Sequence, residues 1–95
     1  MIGNFSYEAQ NALIEAKEEM MKLNHPYIGT EHLMLSILNN QNLISKLLNN
    51  KKVTYEIFKE KLINLIGIGN KKNIFNIYTP LLKKVIENSI LLSKD

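Results

Sequence analysis

His25-Pro26-Tyr27-Ile28-Gly29-Thr30-Glu31-His32-Leu33-Met34-Leu35 holds the junction that organises this chain. Pro26 cannot continue a helix, so a helix arriving from upstream ends at Asn24-His25-Pro26. Gly29-Thr30-Glu31 opens the next one. Thr30 reads as its N-cap, and Glu31 places a carboxylate at the positive end of the helix dipole. Leu33, Met34, Ile37 and Leu38 then give that helix a broad apolar face through Leu38.

Upstream, Ser6 is a good cap for a helix from Tyr7 to about Leu23. Ala9, Ala12, Leu13, Ala16, Met20 and Leu23 recur at three- and four-residue steps on its apolar face. The alanines on that face let another helix approach closely. Glu15, Glu18, Glu19 and Lys22 fall on the other side, with Glu18 and Lys22 spaced as an i,i+4 pair. Downstream, Asn39-Asn40-Gln41-Asn42 is a turn, and a short helix over Leu43–Leu48 is expected to turn Leu43, Ile44, Leu47 and Leu48 inward. Thr54 caps a fourth helix to Ile66, offering Ile57, Phe58, Leu62, Leu65 and Ile66 to the core, and Gly67 stands where a terminating glycine belongs. Residues 67–78 read as a linker whose Ile68, Ile74, Phe75 and Ile77 lie against the domain. Thr79-Pro80 starts a fifth helix, a cap followed by Pro at the first helical position. No strand pattern of useful length occurs; the cluster Ile74–Ile77 is its one rival. The fold class is therefore all-α.

Composition narrows the function. With 95 residues the chain has room for one small domain, and 45% hydrophobic residues suffice for a packed core. Cys is absent, which excludes a disulfide scaffold, a thiolate metal site and a cysteine nucleophile. The formal charge is +3, carried by Lys alone among strong bases and interleaved with Glu. That is a solvated surface rather than a phosphate track, so no nucleic-acid partner is expected. No apolar run reaches the roughly 18 residues of a membrane span, no signal peptide is visible at the start, and a cytoplasmic location is expected. Without G-x-x-x-x-G-K-[ST] no nucleotide chemistry is expected, and no cofactor. Ser6, Thr30, Thr54 and Thr79 precede helices and read as caps rather than nucleophiles. His25 and His32, seven positions apart across a Pro, lack the spacing of a helical metal pair and read as structural or solvated, so no metal is expected. The chain is not expected to be an enzyme.

Phe5-Ser6-Tyr7-Glu8-Ala9-Gln10, Ala16-Lys17-Glu18-Glu19, His25 to Leu35, Leu65-Ile66-Gly67 and Tyr78-Thr79-Pro80 resemble, in order and spacing, the Clp N-terminal domain. That domain is the helical substrate- and adaptor-binding module of the Clp/Hsp100 AAA+ unfoldases, and the ClpC subgroup is nearest. The family domain holds two tandem helical repeats, each with its own G-T-E-H-type helix start. Against that pattern, residues 1–66 are a complete first repeat, 67–78 a linker, and 79–95 the first helix of an incomplete second repeat. An internal echo agrees: laying Ser6 on Thr79 matches Ala9 with Leu82, Ala12 with Val85, Leu13 with Ile86 and Ala16 with Ser89. The expected role is recruitment of substrates or adaptors to a Clp unfoldase, in cis or in trans. The alternative is a stand-alone oligomeric regulator that mimics or blocks a Clp N domain.

Two sets of residues are candidates for binding. Thr30 and Glu31 lie at a helix N-terminus, where free backbone N–H groups favour an anion. A carboxylate beside such a site suits a ligand carrying both charges, and the resemblance implies that Glu31 holds the guanidinium of phosphoarginine tags. The bland reading, that Glu31 only offsets the helix dipole, stays open. The resemblance also implies an adaptor-binding groove between the first helices of the two repeats, matching Ile2, Leu13, Lys17, Tyr78, Lys83 and Glu87, with Leu13 read as core; an ordinary solvated seam is the other reading. Leu81, Leu91 and Leu92 add apolar surface to the fifth helix beyond one face, which suggests a homodimer through that helix.

Overall fold

The computed structural model describes residues 7–70 and 74–93, with side chains of the last helix described through Ser89. Five helices follow in order: α1 Tyr7–Lys22, α2 Thr30–Leu38, α3 Leu43–Asn50, α4 Tyr55–Ile66 and α5 Pro80–Ser93. The all-α reading holds. Among the described residues, β pairing is confined to one isolated parallel bridge, Ile28 to Tyr78. Ser6 and Ile2 lie outside the described residues, as do the side chains of Leu91 and Leu92.

Three helix ends are built by named devices. After α1, Asn24 takes a left-handed conformation (φ 55°). The Asn24 N–H donates to the Met21 carbonyl (3.1 Å) and the His25 N–H to the Met20 carbonyl (3.2 Å), the paired bonds of a Schellman motif. The helix thus stops two residues before Pro26 needs it to. Lys52 repeats the device after α3 (φ 65°), with its N–H on the Asn49 carbonyl and the Val53 N–H on the Leu48 carbonyl. At the end of α4, Gly67 adopts φ 75°, ψ −173°, a region open essentially to glycine alone. Thr54 and Thr79 cap α4 and α5 as expected, accepting from the Ile57 and Leu82 N–H groups.

The core forms where α1 crosses α2. Ala16 and Met20 of α1 cluster with Ile28 and with Leu82 of α5, and Leu33, Ile74, Tyr78 and Ile86 pack around them. The small residues of α1 do admit a close neighbour: the Ser36 hydroxyl of α2 donates to the Ala12 carbonyl at 2.8 Å. The linker is tied to the turn between α1 and α2. The Gly69 N–H donates to the Leu23 carbonyl and the Phe75 N–H to the Pro26 carbonyl, while Tyr27 and Phe75 stack at 5.4 Å. A side chain at Gly69 would run into the Asn24 carbonyl oxygen.

Several expectations are corrected. Glu19 is buried rather than on the charged side of α1. It accepts from the Tyr55 hydroxyl (2.8 Å) and pairs with Lys22 (3.4 Å), displacing the expected Glu18–Lys22 pair. Burial, and then the carboxylate beside it, push the Tyr55 phenol up to about 12. Leu43, Ile44 and Leu47 of α3 face outward, as do Ile57, Leu65 and Ile66 of α4, and Ile68 and Ile77 of the linker. The physical reason is thickness. The molecule measures 39 × 34 × 18 Å, and helices about 10–12 Å across leave only about two layers in the short dimension. The internal echo is likewise partial: Leu13 and Ala16 are buried, whereas Val85 and Ser89 of α5 face out and the Ser89 hydroxyl satisfies itself on the Val85 carbonyl.

Candidate functional site

The turn between α1 and α2 converges on two histidines. The Schellman motif delivers His25 inward, and the bridge from Ile28 to the strap before α5 holds the next residues: the Ile28 N–H donates to the Ile77 carbonyl and the Thr79 N–H to the Ile28 carbonyl. Gly29, extended at φ −112°, is the true N-cap of α2, and Thr30 is its first helical residue rather than its cap. His32 therefore occupies the third helical position and reaches back, its Nδ1 accepting the Gly29 N–H at 2.8 Å. That is half of a capping box made with an imidazole.

The remaining bonds then have only one consistent direction. Because His32 Nδ1 accepts, its one ring proton sits on Nε2, which lies 2.7 Å from His25 Nδ1 and donates to it. His25 in turn carries its proton on Nε2 and donates to the Gly67 carbonyl at 2.7 Å. Both rings are buried and both are neutral in this chain of bonds. Burial pushes the His32 pKa below its usual value; Glu31 opposes that shift and His25 adds to it. The two histidines so clasp the α1–α2 turn to the end of α4.

His25, Glu31 and His32 also bring donor atoms within 4.8 Å of one another, a candidate metal centre that spacing alone did not foresee. The tautomers argue against it. A metal on His32 Nε2 would need the ring proton on Nδ1, where the Gly29 N–H already points. The cluster is built as a clasp, and both rings are buried rather than solvated.

Thr30 and Glu31 lie on the open side of the same turn, each half-buried. The His32 and Leu33 N–H groups donate to the Gly29 carbonyl, while among the described residues none accepts from the Thr30 or Glu31 N–H. The Glu31 carboxylate folds back over the Cα of Gly29, into the space a side chain there would fill. Two amides without an acceptor among the described residues and a carboxylate thus share the start of α2.

The family model described as the Clp repeat (R) N-terminal domain matches residues 4–95. The chain belongs to that family. It is 38% identical over 91 residues to the ATP-dependent Clp protease ATP-binding subunit ClpC of Staphylococcus saprophyticus, covering 95% of this chain and 11% of that protein. The ClpC subunits of Staphylococcus epidermidis and of Staphylococcus aureus strain USA300 are each 37% identical with the same coverage. The chain therefore spans 11% of the length of these relatives.

In this Clp repeat the second candidate set is only partly gathered. Leu13 is buried, as expected. Tyr78 is half-buried in the bridge to Ile28. Lys17 and Lys83 are both exposed, each next in the chain to a core residue, Ala16 and Leu82. Glu87 stands one turn beyond Lys83 and is exposed. Ile2 lies outside the described residues. No helix of the described residues is long and apolar enough to cross a membrane. The histidine clasp escaped the sequence reading, although a Gly followed three residues later by a polar ring already has capping-box spacing.

Proposed function

We propose that this Clp repeat is a non-catalytic module that recruits protein substrates or adaptors to a Clp-type AAA+ unfoldase. In this reading the start of α2 receives a ligand carrying an anion beside a cation, as on phosphoarginine-tagged proteins. The observation that supports it is the pairing of the Thr30 and Glu31 amides, which have no acceptor among the described residues, with the Glu31 carboxylate. Adaptors are assigned to the α1–α5 seam at Lys17, Tyr78, Lys83 and Glu87, with Ile2. The module has no catalytic task in this reading: its histidines are engaged with each other, and Ser36 and Ser45 donate their hydroxyls to backbone carbonyls.

Titration calorimetry tests the site at α2. Phosphoarginine is expected to bind and plain arginine to bind poorly. Glu31→Ala is expected to cost about 1.5–3 kcal/mol, the range for a hydrogen bond to a charged group. An absence of heat at millimolar phosphoarginine would leave Glu31 with the dipole role alone.

The alternative, a stand-alone oligomeric regulator, draws on α5, where Leu81 and Val85 are exposed. A homodimer through α5 predicts a mass that rises with concentration in light scattering and reverts to the monomer in Leu81→Lys. A monomer mass at every concentration would exclude it.

A further inference from the structure

The third helix is built inside out. Its polar Ser45 is the buried residue, while Leu43 is 73% and Leu47 54% exposed and Ile44 lies exposed beside them. The cause is local. Asn42 and Ser45 cap the helix reciprocally, the Ser45 N–H donating to Asn42 Oδ1 (2.8 Å) and the Asn42 N–H to Ser45 Oγ (3.0 Å). Asn42 Nδ2 also donates to the Ile37 carbonyl at the end of α2. That box turns the serine toward α2 and leaves Leu43 and Leu47, one turn apart, on the outermost face. Grouped exposed leucines on an ordered helix mark an interaction surface.

Charge says what kind of partner fits. From His32 to Tyr55 the chain carries no carboxylate, whereas Lys46, Lys51 and Lys52 are all exposed on α3 and its C-terminal turn. An open cleft of about 580 Å³ lined by Gln41, Asn42, Leu43, Ser45, Lys46 and Asn49 runs beside the leucines. A second copy docked here about a two-fold axis would set lysines against lysines. A lipid surface fits poorly, because a helix of 8 residues offers three apolar side chains and no aromatic anchor. An acidic amphipathic segment satisfies both features, its apolar side on Leu43, Ile44 and Leu47 and its carboxylates on the lysines.

We infer that the outer face of α3 is a docking surface for an acidic amphipathic segment of a partner protein, distinct from the start of α2 and from the α1–α5 seam. The inference deepens the recruiting role proposed above and rests on it. The test is fluorescence anisotropy with the whole chain and a labelled synthetic amphipathic peptide, Leu at heptad a and d positions and Glu elsewhere, beside a twin with Lys in place of Glu. The acidic peptide binds, and the basic twin binds at least about tenfold more weakly. Leu43→Ser with Leu47→Ser weakens the acidic peptide by about tenfold or more while thermal unfolding is unchanged, since both residues are exposed. Lys46→Gln, Lys51→Gln and Lys52→Gln together flatten its salt dependence. Equal binding of the two peptides, or wild-type affinity in the double variant, overturns the inference. So does binding to phosphatidylglycerol vesicles without peptide binding, or self-association that depends on Leu43 and Leu47. Phosphoarginine titrated into the same samples separates the two proposals. Phosphoarginine bound without peptide sinks the α3 surface alone; peptide bound through α3 without phosphoarginine sinks the tag site alone.

Discussion

Replacing His32 by alanine is expected to lower the stability of this domain by about 3–5 kcal/mol, a sum of two orphaned polar groups and a cavity. The ring is 1% exposed. Its loss leaves the Gly29 N–H without its acceptor and His25 Nδ1 without its donor inside a buried turn. A small domain has only about 5–15 kcal/mol in total, so the variant should unfold at far lower urea.

The same clasp makes stability depend on pH, and the sign follows from two arguments. The folded pKa of His32 lies below its ordinary value. The unfolded chain therefore binds more protons between the two values, and the stability is complete above about pH 6.5 and falls as pH drops through the folded value. Geometry agrees, because a proton added to His32 Nδ1 would face the Gly29 N–H. Glu31 and Glu19 favour the charged ring and blunt the effect. Urea unfolding followed by circular dichroism at about pH 7.5 and about pH 5.5 measures it across the titration range of histidine. Wild type should lose more stability on acidification than His32→Ala. His32→Asn keeps an acceptor without a titrating ring, so it should recover about 1 kcal/mol over alanine and respond to pH as alanine does. Equal acid sensitivity in all three would remove His32 from the account.

The second large effect is expected at Leu82. This residue is fully buried among Ala16, Met20 and Ile28 and is the anchor of α5. Leu82→Ala should cost about 2–5 kcal/mol, at the upper end if Met20 and Ile28 do not close over the gap. Its neighbour Leu81 is 62% exposed, so Leu81→Ala should change stability by less than about 0.5 kcal/mol. Hydrogen exchange adds the location: in Leu82→Ala the amides of α5 should exchange faster than those of α1 and α2, because the helix loses its fully buried anchor and keeps, among the described residues, the bridge from Ile28 to Tyr78 and the half-buried Ile86. Equal effects of the two substitutions would mean that α5 is not docked through Leu82.

Helix positions were legible in the order of residues because they rest on local chemistry. Thr54 and Thr79 cap what they precede, Gly67 ends what it follows, and apolar residues at helical spacing mark the lengths between them. The alanine face of α1 was legible for the same reason, since small side chains state in advance that a neighbour comes close. The family was legible from the run His25 to Leu35 and its flanks, and the match over residues 4–95 agrees. The start of α2 was misplaced by one residue. Thr30 is the stronger capping type, but Gly29 holds the extended backbone and His32 supplies the acceptor.

Which apolar face turns inward is a different kind of fact. Periodicity in α3 gives a leucine stripe but no direction, and it was the Asn42–Ser45 box and the bond to Ile37 that aimed Ser45 at the core and Leu43 at solvent. The histidine clasp was likewise beyond reach of spacing. His25 and His32 meet only because Asn24 reverses the chain, and their tautomers are settled by Gly29 and by Gly67, which lies 42 residues from His25. Glu19 became a buried partner of Tyr55 because the start of α4 brings that hydroxyl to it, not because of any feature of α1 itself. The sequence by itself determined the helices, their ends and the family, since those depend on neighbours within about one helical turn. Only the tertiary structure decided burial, direction and proton placement, because each depends on groups brought together across the chain in a molecule 18 Å thick.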